Sequence, residues 1–230
     1  TGPLKTISVV FDIGAIANRG EGVHMAVRRE LAKRLGYSPG SQAVADYELK
    51  LELDGEYPRF LQLFQEIHGR TWESSKARGL VEDEFSEVMS AQFPTRFENA
   101  NVWADSKTGS NSNENSSVEE TVRAIQSMLG QRAPEATVFI VVDEVSQYIH
   151  SDDERMLALQ SFVSALGQQL RGRVWLMATG QQKLEEELEG SNLSKLKDRF
   201  PNHLRVHLSP ANIRDVVHRR LLKKDPAREG

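Results

Sequence analysis

The segment VFIVVDEVSQYI, residues 138–149, restricts the fold more than any other part of the chain. Its leading residues are apolar and mostly β-branched, with no polar alternation, so a strand made from them cannot present one face to water. Strands of that kind belong to parallel sheets covered by helices and joined by crossover connections. The run ends in two adjacent carboxylates, Asp143 and Glu144. In an open parallel sheet, the carboxyl end of a strand is the edge where ligands bind.

Three more segments read as buried strands: TISVVFDIG (6–14), RVWLMATG (173–180) and HLRVHLS (203–209). Helical periodicity fills the intervals. Residues 22–35 carry Val23, Val27, Leu31 and Leu35 on one stripe. The segment from 117 opens with a capping box, Ser117 with Glu120, and continues through Val118, Val122, Ile125 and Leu129. Residues 151–170 repeat the device with Ser151 and Glu154, then Leu159, Phe162, Val163, Leu166 and Leu170. The predicted class is α/β, a mainly parallel sheet with helices on both faces. Residues 40–104 keep helical periodicity without a strand, which predicts a helical insertion between the first two strands, serving as a lid or as a partner surface. The polar tract DSKTGSNSNENSS, 105–117, reads as a flexible surface loop.

Composition excludes several function classes. With 39% hydrophobic and 27% charged residues among 230, the chain is in the soluble globular range. No apolar run approaches the ~20 residues a bilayer-crossing helix needs. The absence of Cys removes disulfides, thiolate metal sites and cysteine nucleophiles, and fits a cytoplasmic location. A net charge of -4 gives no general attraction for nucleic acid. No G-x-S-x-G elbow marks a hydrolase serine. His203 and His207 would stand about 13 Å apart on a strand, too far to share one metal.

Two readings fit the carboxylate pair. Asp143 and Glu144 can begin an exposed turn and cap a helix. Alternatively they form a Walker B pair, in which Asp143 positions the Mg²⁺ that bridges two phosphates of ATP and Glu144 polarises the attacking water. The metal needs an anionic oxygen, and the water needs a base that the metal does not occupy. The next strand ends in Thr179, Gly180 and Gln181, so Thr179 and Gln181 are candidate sensors of the γ-phosphate, or simply the residues of a turn. Arg199 precedes the last strand pattern and is either an arginine finger for a neighbouring subunit's nucleotide or a surface cation.

Three blocks, VFIVVDEVSQYI, RMLALQSFVSALGQQLRGRVWLMATGQQ and KLKDRFPNHLRVHLSPANIRDVVHRRLL, resemble the large P-loop ATPases of BREX bacteriophage-defence systems, the BrxC type, and their PglY-type relatives from phage growth limitation. The similarity runs through nearly the whole chain; one departure is Ser146, where the family usually has Gly. The resemblance implies an AAA-like core and a subunit that works with other defence-system proteins on phage DNA. The expected organisation is then 1–39 as the first strand and helix of the core, 40–104 as the insertion, 105–117 as the loop, 118–209 as the rest of the core, and 210–230 as the start of a C-terminal lid helix.

Half of a nucleotide site is missing from this sequence. No G-x-x-x-x-G-K-[ST] phosphate loop occurs at any of its glycines. Because the chain opens TGPLKT without Met and enters a strand pattern at once, the loop and its strand are expected upstream in a longer protein; a degenerate relative is the other explanation. The absent strand would lie between 173–180 and 203–209, leaving two unpaired edges prone to self-association. Two non-enzymatic readings stand beside the ATPase: an interaction scaffold presenting the insertion, and a DNA-binding module using Arg214, Arg219, Arg220, Lys223 and Lys224.

Overall fold

The computed structural model describes residues 5–78, 81–108, 116–149, 152–180 and Val206. Three parallel strands form one sheet in the order β1 (Thr6–Asp12), β2 (Thr137–Asp143), β3 (Val174–Ala178). The fold is mixed α/β. Between β1 and β2 lie α1 (Ile13–Ile16), α2 (Val23–Arg34), α3 (Gln42–Leu53), α4 (Tyr57–His68), α5 (Trp72–Ser75), α6 (Val81–Gln92), α7 (Val102–Thr108) and α8 (Val118–Arg132). Between β2 and β3 lie α9 (Val145–Ile149) and α10 (Asp153–Gln169).

β2 is the central strand. Its register sets Val9 beside Ile140 and Asp12 beside Asp143 on one side, and Ile140 beside Leu176 on the other. Val138, Ile140 and Val142 point into the core and are fully buried against α2, α8 and α10. Burying each such side chain stabilises the fold by about 1.5–3 kcal/mol.

Among the described residues helices cover one face of the sheet, where the sequence pattern predicts two. On the other face, Val10 is 69% exposed, Trp175 47% and Met177 46%, next to half-buried Phe139 and Val141. The reason is topological. The chain steps from β1 to β2 to β3 in one direction, and right-handed crossovers taken in one direction put every connecting helix on the same side.

Local chemistry also moves some boundaries. The first strand stops at Asp12 rather than Gly14, because the Asp12 carboxylate accepts from the Gly14 and Ala15 backbone N–H groups and starts α1. The capping box of α8 forms as the sequence indicates, with Ser117 and Glu120 satisfying each other's backbone N–H groups. At α10 the cap is Asp152, which accepts from the Arg155 N–H at 2.9 Å, one residue after the expected Ser151. Residues 105–108 of the supposed loop belong to α7. Of the strand pattern at 203–209 only Val206 is described; it lies outside any strand and is 81% exposed.

The segment read as an insertion is helical from α3 to α7 and builds a second core. Phe60, Phe64, Trp72, Phe85 and Trp103 are fully buried there in mutual edge and tilted ring contacts. α3 serves both cores, placing Ala45 and Leu49 against the sheet layer and Val44 and Leu51 against the aromatic cluster. No helix among the described residues is long and apolar enough to cross a membrane.

The apolar face left open by the described residues sets an expectation for solution behaviour. Sedimentation should show mass above 25.9 kDa that rises with concentration, and the paired changes Trp175→Lys and Met177→Lys should reduce it. A single monomeric species over the same concentration range would contradict this.

Candidate functional site

The carboxyl ends of the three strands meet in one small region. β2 ends at Asp143, which is exposed, and backbone bonds from Thr179 N–H to Val142 O (3.0 Å) and from Val145 N–H to Thr179 O (3.1 Å) hold the end of β3 against the turn after β2. The Thr179 hydroxyl donates to the Asp143 carboxylate. The Glu144 N–H lies 3.0 Å from the same Asp143 oxygen and 3.2 Å from Thr179 Oγ1. Asp143, Glu144 and Thr179 are therefore brought together, as the sequence pattern predicts. Gln181 and Arg199 lie outside the described residues, as do His203, His207 and the basic residues from Arg214 to Lys224.

Glu144 carries the only positive φ of a non-glycine residue among the described residues, 58°. A side chain with a Cβ takes this left-handed conformation at a cost of about 1–3 kcal/mol, and such residues concentrate at functional sites. The turn lets the chain leave β2 and enter α9 within one residue.

Ser146 and Gly180 close the site from behind. Ser146 is buried, and a Cβ on Gly180 would stand 2.7 Å from its Oγ. The Ser146 side chain thus occupies room that only a glycine at 180 leaves open.

Asp12 is the site residue that sequence reasoning missed. It is the register partner of Asp143 and shares the same sheet edge. A signal existed: TISVVFD and TVFIVVD both run seven residues from Thr to Asp, and the paired strands align them end to end.

The loop between α1 and α2 borders this region and is tied to it. Buried Glu21 accepts from the Asn18 N–H at 2.8 Å and pairs with Arg29, which donates to Ile16 O at 2.8 Å. Tyr148, on α9, donates its hydroxyl to Glu21 O at 2.5 Å. In the first turn of α2, His24 is 7% exposed and has its Nε2 3.1 Å from Ser116 O. Burial pushes its imidazole below the ordinary value, against the opposing pull of the Ser116 bond and the Glu21 charge.

No three acidic or histidine ligands converge among the described residues, so these side chains form no self-sufficient cation cage. The donor set fits Mg²⁺ in its other mode, in which one or two carboxylates share the ion with phosphate oxygens and water. Asp143, with Asp12 beside it, would supply that carboxylate edge. No protein-family model matches the chain, and no solved structure matches it.

Two outcomes follow from this geometry. Gly180→Ala should lower stability by about 1–3 kcal/mol through overpacking, and Ser146→Gly in the same chain should restore much of it, both read as urea midpoints. His24 binds a proton more weakly folded than unfolded, so its contribution is complete above pH 6.5 and is lost as pH falls below that value. Stability curves of the chain and of His24→Gln should therefore diverge in slope on the acid side of 6.5; parallel curves would show that His24 does not titrate on unfolding.

Proposed function

We propose that this chain is part of an Mg²⁺-dependent ATPase of the BREX bacteriophage-defence type, working with other defence-system subunits. Asp143 is assigned to the metal, Glu144 to the attacking water, Thr179 or Gln181 to sensing the γ-phosphate, and Arg199 to a neighbouring subunit's nucleotide in a homo-oligomer. The observation that supports this best is the Thr179 hydroxyl bonded to the Asp143 carboxylate across adjacent strands, beside a Glu144 held at positive φ. A carboxylate oriented by a hydroxyl on the next strand and followed at once by a second carboxylate supplies two groups that an in-line phosphoryl transfer to water can use, one for the metal and one for the water.

On this reading the phosphate-binding half of the site comes from residues outside this sequence, which contains no G-x-x-x-x-G-K-[ST] motif. Cytoplasmic location and contact with DNA through the assembled complex belong to the same reading. The second reading is an interaction scaffold without hydrolysis, favoured by the separate aromatic core of α3–α7.

One substitution separates them. In a polypeptide that joins this chain to a phosphate loop, Glu144→Gln should lower ATP turnover by about 10²–10⁴-fold while Mg²⁺-ATP binding, followed by calorimetry, persists. Unchanged turnover with binding intact would remove Glu144 as the base.

A further inference from the structure

Two hydrophobic cores in one chain raise the question of what makes them one body. Apart from α3, which is shared, the junction is polar and holds two cations, Lys76, which is buried and donates to Gly36 O, and Arg132, which has the larger set of partners. Arg132 is the last residue of α8, and its guanidinium lies 3.5 Å from the centre of the Tyr37 ring and 5.6 Å from that of Tyr57. It donates to Glu52 at 2.7 Å and to Leu35 O at 3.3 Å, and stands 3.6 Å from Glu48. Those partners come from the end of α2, from the turn after it, from α3 and from the start of α4.

Glu48 explains why the junction is costly to open. Its carboxylate is fully buried and accepts from Ser38 N–H (2.6 Å), Trp72 Nε1–H (2.8 Å) and Tyr57 hydroxyl (2.9 Å). Removing Arg132 leaves that buried carboxylate with Lys76 as its remaining cation and takes from Glu52 its guanidinium donor, the expensive way to break a buried network. Glu52 is held in turn by the Tyr37 hydroxyl at 2.5 Å. A planar guanidinium suits this place because it lies over the Tyr37 ring, with Tyr57 nearby, while its edge serves the carboxylates, which an ammonium cannot do.

The far side of the junction is the base of the sheet. Only Ala133 to Ala136 separate Arg132 from β2, and Arg173, next to β3, donates to Leu129 O at 3.0 Å and to Ala133 O at 2.7 Å. The helical segment is thus fastened at the amino end of β2, about 20 Å along that strand from Asp143. We propose that Arg132 is the coupling residue that makes α3–α7 and the parallel sheet open as one cooperative unit, so that a partner bound to the helical segment acts on the base of the strand bearing Asp143. The proposal does not depend on the nucleotide reading.

Amide hydrogen exchange of the intact 230-residue chain tests it, read separately over α4–α6 and over β1–β3. In the unaltered chain the two sets should share one dependence on urea. In Arg132→Met, protection over α4–α6 should fall about a hundred- to a thousand-fold while β1–β3 loses less than tenfold. Arg132→Lys, which keeps the charge without the stacking fork, should show the same selective loss at about tenfold, and it serves as the readout where Arg132→Met does not fold. Arg123→Met, removing an exposed cation of the same helix, should change neither set. A uniform loss over both sets in Arg132→Lys, or no loss in either variant, would overturn the proposal.

Discussion

Pairing of β2 on both sides is the constraint from which most of this structure follows. A strand with backbone partners left and right has no freedom of register, and the bonds to β1 and β3 bring Asp12, Asp143 and Thr179 to one edge. The same strand is apolar on both faces, so its burial drives the helices onto it. Right-handed crossovers then settle which face they reach. All of α2, α8 and α10 fall on one side, and the aromatic and aliphatic side chains of the other side stay open among the described residues.

The candidate site carries local costs that the surrounding fold sustains. Glu144 is held at a backbone angle disfavoured for a residue with a Cβ, and its N–H is satisfied by Asp143 and Thr179. Ser146 packs where Gly180 leaves space, fixing the first turn of α9 against the end of β3. Tyr148 on the same short helix ties the α1–α2 loop to it. Apart from the Asp143 bond to the Glu144 N–H, each contact spans elements far apart in the chain, so the turn keeps its shape mainly through tertiary packing.

A different chemistry joins the helical segment to the sheet. Most of the fold rests on apolar burial, but this junction contains a fully buried Glu48, Glu52, Arg132 and Lys76 with tyrosine and tryptophan donors around them. Burial pushes the Glu48 carboxyl above its ordinary value, although the Trp72, Ser38, Lys76 and Arg132 groups pull the other way. Such a network adds little net stability over apolar packing, but breaking it by removing one member is costly, and its members come from both cores.

Much of this was legible in the linear chain. The β-branched run at 138–142 announced a buried strand, the Ser117–Glu120 box announced the start of α8, and the Asp143–Glu144 pair with Thr179 announced a shared carboxyl edge of the sheet. These readings succeed because periodicity, capping and strand burial are set by residues close in sequence. What only the tertiary structure decided depends on partners dozens of residues away: Asp12 beside Asp143, Ser146 against Gly180, the one sheet face that the described helices cover, and Arg132 between Tyr37 and Glu52. Register, crossover hand and the pairing of buried charges are properties of assembled elements, and no short window of residues contains them.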